Sequence, residues 1–116
     1  MHHNGFHIKV YDEFFNITEG RRARICEVLG TPYSDVAHIN ASGMGGRESA
    51  HVIENLIALH PELHKWTEGR YKEWLSTIHE HFMDYQTPWV EKYPQDRILG
   101  EFLWECADKL PKRWRF

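Results

Sequence analysis

The stretch from Asp35 to Gly69 limits the possible folds more tightly than any other part of the sequence. Asp35-Val-Ala-His-Ile39 is a short β-prone run, and Asn40-Ala-Ser-Gly-Met-Gly-Gly-Arg-Glu-Ser49 follows it with glycines at 43, 45 and 46. Glycines open backbone conformations closed to other residues, so this segment can wrap closely around something. Asn55-Leu-Ile-Ala-Leu59 is a second apolar run, and Pro61 behind His60 is placed to open a helix, because proline is tolerated in a first turn. That helix is predicted to reach about Thr67 or Glu68 and to stop at Gly69. Strand, glycine loop, strand and helix therefore succeed one another within one short segment.

The flanks add to this core. Residues 6–15 begin with alternation and end in Phe14-Phe15, which predicts a short strand or an ordered arm rather than a long helix. Ile25, Val28 and Leu29 precede Gly30, and Thr31-Pro32 reads as a turn, so a strand or knuckle should end at Gly30. Tyr71, Trp74, Leu75, Ile78 and Phe82 recur at three- and four-residue steps, and Ile98, Leu99, Phe102, Leu103, Cys106 and Leu110 repeat that stripe. Two amphipathic C-terminal helices are expected, separated by Thr87-Pro88 and Tyr93-Pro94. The fold class is α+β. A chain of 116 residues suits one domain, with a motif core over about 25–82 and a helical extension over about 83–116.

Composition excludes several function classes. No stretch approaches the roughly 18 apolar residues of a membrane span, and the first residues lack a signal-peptide pattern, so a cytoplasmic protein with no membrane partner is expected. Cys26 and Cys106 are read as free thiols. A net charge of -3 is the wrong sign for a protein that grips DNA over a broad surface. Local basic clusters exist nonetheless: Arg21, Arg22 and Arg24 near the start, and Lys112, Arg113 and Arg115 around Trp114 at the end. Nine histidines are numerous for this length, and histidine is both a metal ligand and the physiological acid/base.

The chemistry-bearing string is Val36-Ala-His-Ile39, Gly43-Met-Gly-Gly46, Ile53-Glu-Asn-Leu-Ile-Ala-Leu-His60 and His64. One-metal phosphodiester hydrolysis needs a base for water, a cation at the leaving oxygen and a scaffold holding both close together. One hairpin and one helix can supply all three. The string resembles the HNH (ββα-metal) endonuclease family, particularly its small phage and mobile-element members, and Ile25-Cys-Glu-Val-Leu-Gly30 resembles that family's zinc knuckle.

The resemblance implies a nuclease that hydrolyses DNA phosphodiesters with a divalent metal, Mg²⁺ or Mn²⁺ or else Ni²⁺ or Zn²⁺. His38 matches the general base, Asn55 the central Asn and His64 a metal ligand, with Glu68 one helical turn on as a further ligand. Arg47 in the glycine loop and the tail cations Lys112, Arg113 and Arg115 are candidate nucleic-acid contacts. Departures from the pattern are equally plain. Ala37 stands where relatives carry the first metal ligand. Either Asp35 on the same strand face substitutes for it, or His38 becomes a ligand itself. Of the four zinc-cysteine positions only Cys26 matches, the others being Leu29, His60 and Leu63, so no structural zinc is expected and apolar packing should replace it. These losses motivate an alternative: an inactive HNH-derived binding protein, such as a phage-encoded inhibitor of a host defence nuclease, whose partner is a host protein complex.

Overall fold

A computed structural model of the protein describes residues 6–40 and 52–110. The chain runs through α1 (Phe6–Phe14), a 3₁₀ turn (Gly20–Ala23), β1 (Asp35–His38), a 3₁₀ turn (Ile53–Asn55) and β2 (Leu56–Leu59). Helices α2 (Pro61–Thr67), α3 (Lys72–Tyr85), α4 (Trp89–Lys92) and α5 (Arg97–Cys106) follow, and a 3₁₀ turn (Ala107–Lys109) closes the series. The result is an α+β fold with a two-stranded antiparallel sheet in the register Asp35↔Leu59 to His38↔Leu56. Among the described residues no helix is long and apolar enough to cross a membrane. Arg47, the glycine loop, Lys112, Arg113 and Arg115 lie outside the described residues.

The strand–strand–helix order expected over 35–69 is present, and its local causes are visible. Leu56, Ile57, Ala58 and Leu59 are all buried, which accounts for the unbroken apolar run of β2. At the start of α2 the His60 imidazole accepts the Glu62 N–H through Nδ1 at 3.1 Å, a cap usually made by a short polar side chain, and Pro61 fills the first turn.

Residues 6–14 form a helix, not the strand or arm that the alternation suggested. Tyr11 decides the matter. It is buried, and Ile8 and Phe15, at three and four residues' distance, pack around it with Val36, Leu56 and Ala58. Helical spacing thus wins over the weak two-residue period. The two long C-terminal helices lie where the stripes placed them, with the short α4 between. Trp74, Leu75, Ile78 and Phe82 are buried along α3, and Leu99, Phe102 and Leu103 along α5. Asp96 joins these helices: its Oδ1 accepts the Leu99 N–H at the start of α5, and its Oδ2 accepts both Trp74 and Trp89 Nε1–H at 3.0 Å.

The knuckle is a tight turn in which the Gly30 N–H returns to the Cys26 carbonyl and the Cys26 N–H to the Thr31 carbonyl. Gly30 has φ +80°, and a Cβ there would stand 3.1 Å from Pro88 Cγ, so no other residue fits without strain. The Cys26 sulfur accepts the Leu29 N–H at 3.3 Å, and burial pushes its thiol up despite the Leu29, His60 and Val28 N–H groups directed at it. Leu29 and Leu63 lie beside Cys26 in the main core, together with Leu99, Phe102, Leu103 and Leu110.

Between Cys26 and Val28 the chain buries a carboxylate completely. Glu27 is 0% exposed. Its Oε2 accepts from the Tyr11 hydroxyl at 2.5 Å and the Ala58 N–H at 3.3 Å, while Oε1 faces His79 Nδ1 at 2.9 Å. His79 Nε2 in turn meets the Ile53 carbonyl at 2.7 Å. His79 is 2% exposed, four residues after buried Leu75 on the same helix face. Both imidazole nitrogens face oxygen, so the Glu27–His79 pair must hold a proton between them. Burial opposes charge on His79, but the Glu27 hydrogen bond and charge outweigh it and raise its affinity for a proton. Burial likewise raises the Glu27 carboxyl, against its hydrogen bonds from His79, Tyr11 and Ala58.

Both members therefore bind protons more tightly in the fold than in the unfolded chain. The His79 contribution is complete below the ordinary histidine value of 6.5 and that of Glu27 below its ordinary 4.5, and both are lost as pH rises through the raised folded values. Urea midpoints should fall from about pH 6 to about pH 9 in the native protein, and His79→Gln should flatten that slope. Glu27→Ala, which strands Tyr11, Ala58 and His79, should cost about 3–5 kcal/mol in the same assay.

Candidate active site

β1 alternates between two environments. Val36 packs on the Tyr11 cluster against α1, whereas Ala37 and Ile39 join the main core on the other side. His38, at the end of the strand, is half-buried with its ring against that of His7 from α1, 4.7 Å between centroids and tilted by 35°. Its sequence position suggested the base; nothing in the sequence pointed to His7 as a neighbour, because the contact depends on the unexpected helix.

Asn55 ties the chain beyond β1 to the approach of β2. Its Oδ1 accepts the Asn40 N–H at 2.9 Å and its Nδ2 donates to the Asn40 carbonyl at 3.2 Å, so one side-chain amide engages both backbone groups of one residue. The Asn55 carbonyl also accepts the Ile39 N–H at 2.9 Å. The backbone immediately after His38 is thereby fixed to the start of β2.

His38, His64 and Glu68 border one cleft of about 300 Å³ whose floor includes Ala37, Leu59 and Leu75, with Thr67 and Lys72 on its walls. A larger side chain in place of the Ala37 methyl would stand in this space. Glu68 is exposed at the C-terminal end of α2, one turn after His64. Beside the cleft, Trp66 and Tyr71 stack at 5.0 Å and 16°, and the Arg70 guanidinium sits 5.0 and 4.8 Å from their ring centres while donating to the Trp66 carbonyl. Tyr71 carries φ 62°, a left-handed conformation unusual for an aromatic residue, in the turn that sends Lys72 toward the cleft.

Asp35 sits one strand-face step from Ala37, and both its oxygens are engaged. Oδ1 pairs with Arg21 at 3.0 Å and Oδ2 lies 3.3 Å from His64 Nδ1. The side chains thus converge as Arg21–Asp35–His64, an arrangement that holds the imidazole by Nδ1 and leaves Nε2 for another partner. Among the described residues, no three His, Cys, Asp or Glu side chains form a group placed to hold a metal ion. Burial lowers the affinity of His60 for a proton, in keeping with its Nδ1 accepting a hydrogen bond in the α2 cap.

The early arginine cluster does not form a free basic face. Arg24 is buried in a two-pronged pair with Asp12 at 2.9 and 2.6 Å, Arg22 pairs with Glu19, and Arg21 with Asp35. Comparison of the chain with protein-family models, curated proteins and solved structures gives no significant match.

Asn55→Ala should lower stability by about 1–3 kcal/mol and strip the Asn40 amide of its protection against hydrogen exchange. Asn55→Asp, which still accepts but no longer donates, should fall between the two when the same amide is followed by NMR.

Proposed function

We propose that the chain is an HNH-type, metal-dependent endonuclease that hydrolyses DNA phosphodiester bonds. The observation that carries this reading is the two-way amide clamp of Asn55 on Asn40, two residues beyond His38, beside a cleft that His38, His64 and Glu68 share. Histidine at that place suits a base for water, and a nearby pinned backbone holds it in position.

The donor set fits a loosely held ion. His64 Nε2 and the Glu68 carboxylate would hold it, completed by water and the substrate phosphate, as Mg²⁺ and Mn²⁺ sites commonly are. When bound, the metal would supply positive charge for the oxygen that leaves phosphorus. Asp35 serves to orient His64 through Nδ1 rather than as a ligand, because Arg21 and His64 already engage its two oxygens. His38 takes the proton of the attacking water, and His7 limits the swing of its ring. Lys72, which lines the cleft, and Arg70, which lines the adjoining groove with Gly69 and Lys72, would meet phosphates on either side of the scissile bond.

A second reading, that the fold binds a partner without cutting, is favoured by Ala37 and by the closed Arg21–Asp35–His64 chain. A host protein complex would then be the partner. His38→Ala separates the two. Nicking of supercoiled plasmid in Mg²⁺, Mn²⁺ or Ni²⁺ should fall by about 10²–10⁴-fold, whereas a binding protein loses nothing. Absence of cleavage in all three ions by the native protein ends the nuclease reading. Ala37→Asp should tighten Mn²⁺ binding measured by calorimetry, since it returns a carboxylate to the cleft.

A further inference from the structure

At the far end of α3 from the cleft, a second cavity of about 390 Å³ opens between α3 and α4. His81 and Tyr85 line it from α3, Glu91 and Lys92 from α4, and Thr87 and Tyr93 from the segments beside α4. The nine residue steps from Lys72 to His81 span about 14 Å of helix, so the two cavities are distinct. The rings are set for stacking. His81 lies 4.9 Å from Tyr85 and stands edge-on to Tyr93 at 6.0 Å and 70°, and Tyr93 is itself packed at 4.1 Å on buried Trp89. Tyr85 and Tyr93 are exposed large aromatics, at 68% and 43%.

The polar atoms make this more than an apolar dent. His81 Nε2 is buried without a hydrogen-bond partner, which is unusual for an imidazole nitrogen. Glu91 adds an acceptor and Lys92 a cation at the same opening. A small organic cation would use the rings and Glu91 but would be repelled by Lys92. A flat heteroaromatic ring carrying a phosphate uses the groups at the opening: π-faces for the rings, an amino edge for Glu91, and an anion for Lys92.

We propose that this cavity receives an unstacked nucleobase of single-stranded DNA, with the attached phosphate on Lys92. The proposal borrows the nucleic-acid partner from the nuclease reading and none of its chemistry. Binding holds the strand at a second point along α3, away from the cleft where His38 and His64 lie.

The test is a titration of the intact protein, in EDTA so that no strand is cut, with a single-stranded deoxyoligonucleotide containing 2-aminopurine. Stacking should quench the probe, and dAMP should compete. Tyr85→Ala and Tyr93→Ala should each weaken binding roughly 5- to 100-fold, while the Phe variants retain stacking and most of the affinity. Both tyrosines are exposed, and far-UV circular dichroism checks that the Ala variants keep their helices. His38→Ala should bind like the native protein, so loss of cleavage and loss of this binding are read separately. The proposal is overturned if no oligonucleotide quenches the probe or if folded Ala variants bind unchanged. It is also overturned if arginine or tetramethylammonium displaces the probe where dAMP does not, which would make the cavity a cation cage.

Discussion

A carboxylate with no access to solvent organises this molecule. Glu27 costs free energy to bury, and its side chain recovers that cost only when helix α1, strand β2 and helix α3 all present a hydrogen to it through Tyr11, Ala58 and His79. Its backbone extends the same node, donating to the Ala58 carbonyl and accepting from the Trp89 N–H of α4. Four elements that sequence separates are thus required to agree on one point. Apolar area alone would tolerate sliding of α1 or α3 over the sheet; a fully engaged carboxylate does not.

That node sits one residue from Cys26, at the place where the knuckle turns. In a metal-bound knuckle the cross-link would tie the turn to the start of α2. Here the Cys26 sulfur receives N–H groups from its own turn, while Leu29 and Leu63 fill the adjoining space with side chains from α5. The consequence for the cleft is indirect but physical. Helix α2, which carries His64 and Glu68, is held at its N-terminal end by His60 and along its buried side by core packing.

Much of the central architecture was legible in the sequence, because its signals are strong and local. The buried run of β2, the proline opening α2 and the stripes of α3 and α5 each arise within one element. What escaped depended on distant partners. The helical state of residues 6–14 is decided by a Tyr11 contact with a glutamate beyond the next turn, and burial of His79 by that same glutamate. Glu27 itself, a charged residue inside an apolar knuckle, was the one local sign of both. The Arg21–Asp35–His64 convergence needed the sheet register and the path of the 3₁₀ turn, neither of which periodicity reports.

The Asn40–Asn55 amide pair has one more implication. It closes the neck of the hairpin just beyond the last strand pair, His38↔Leu56. The strand end that carries His38 is therefore kept in place by a contact made at the neck itself, two residues beyond that histidine.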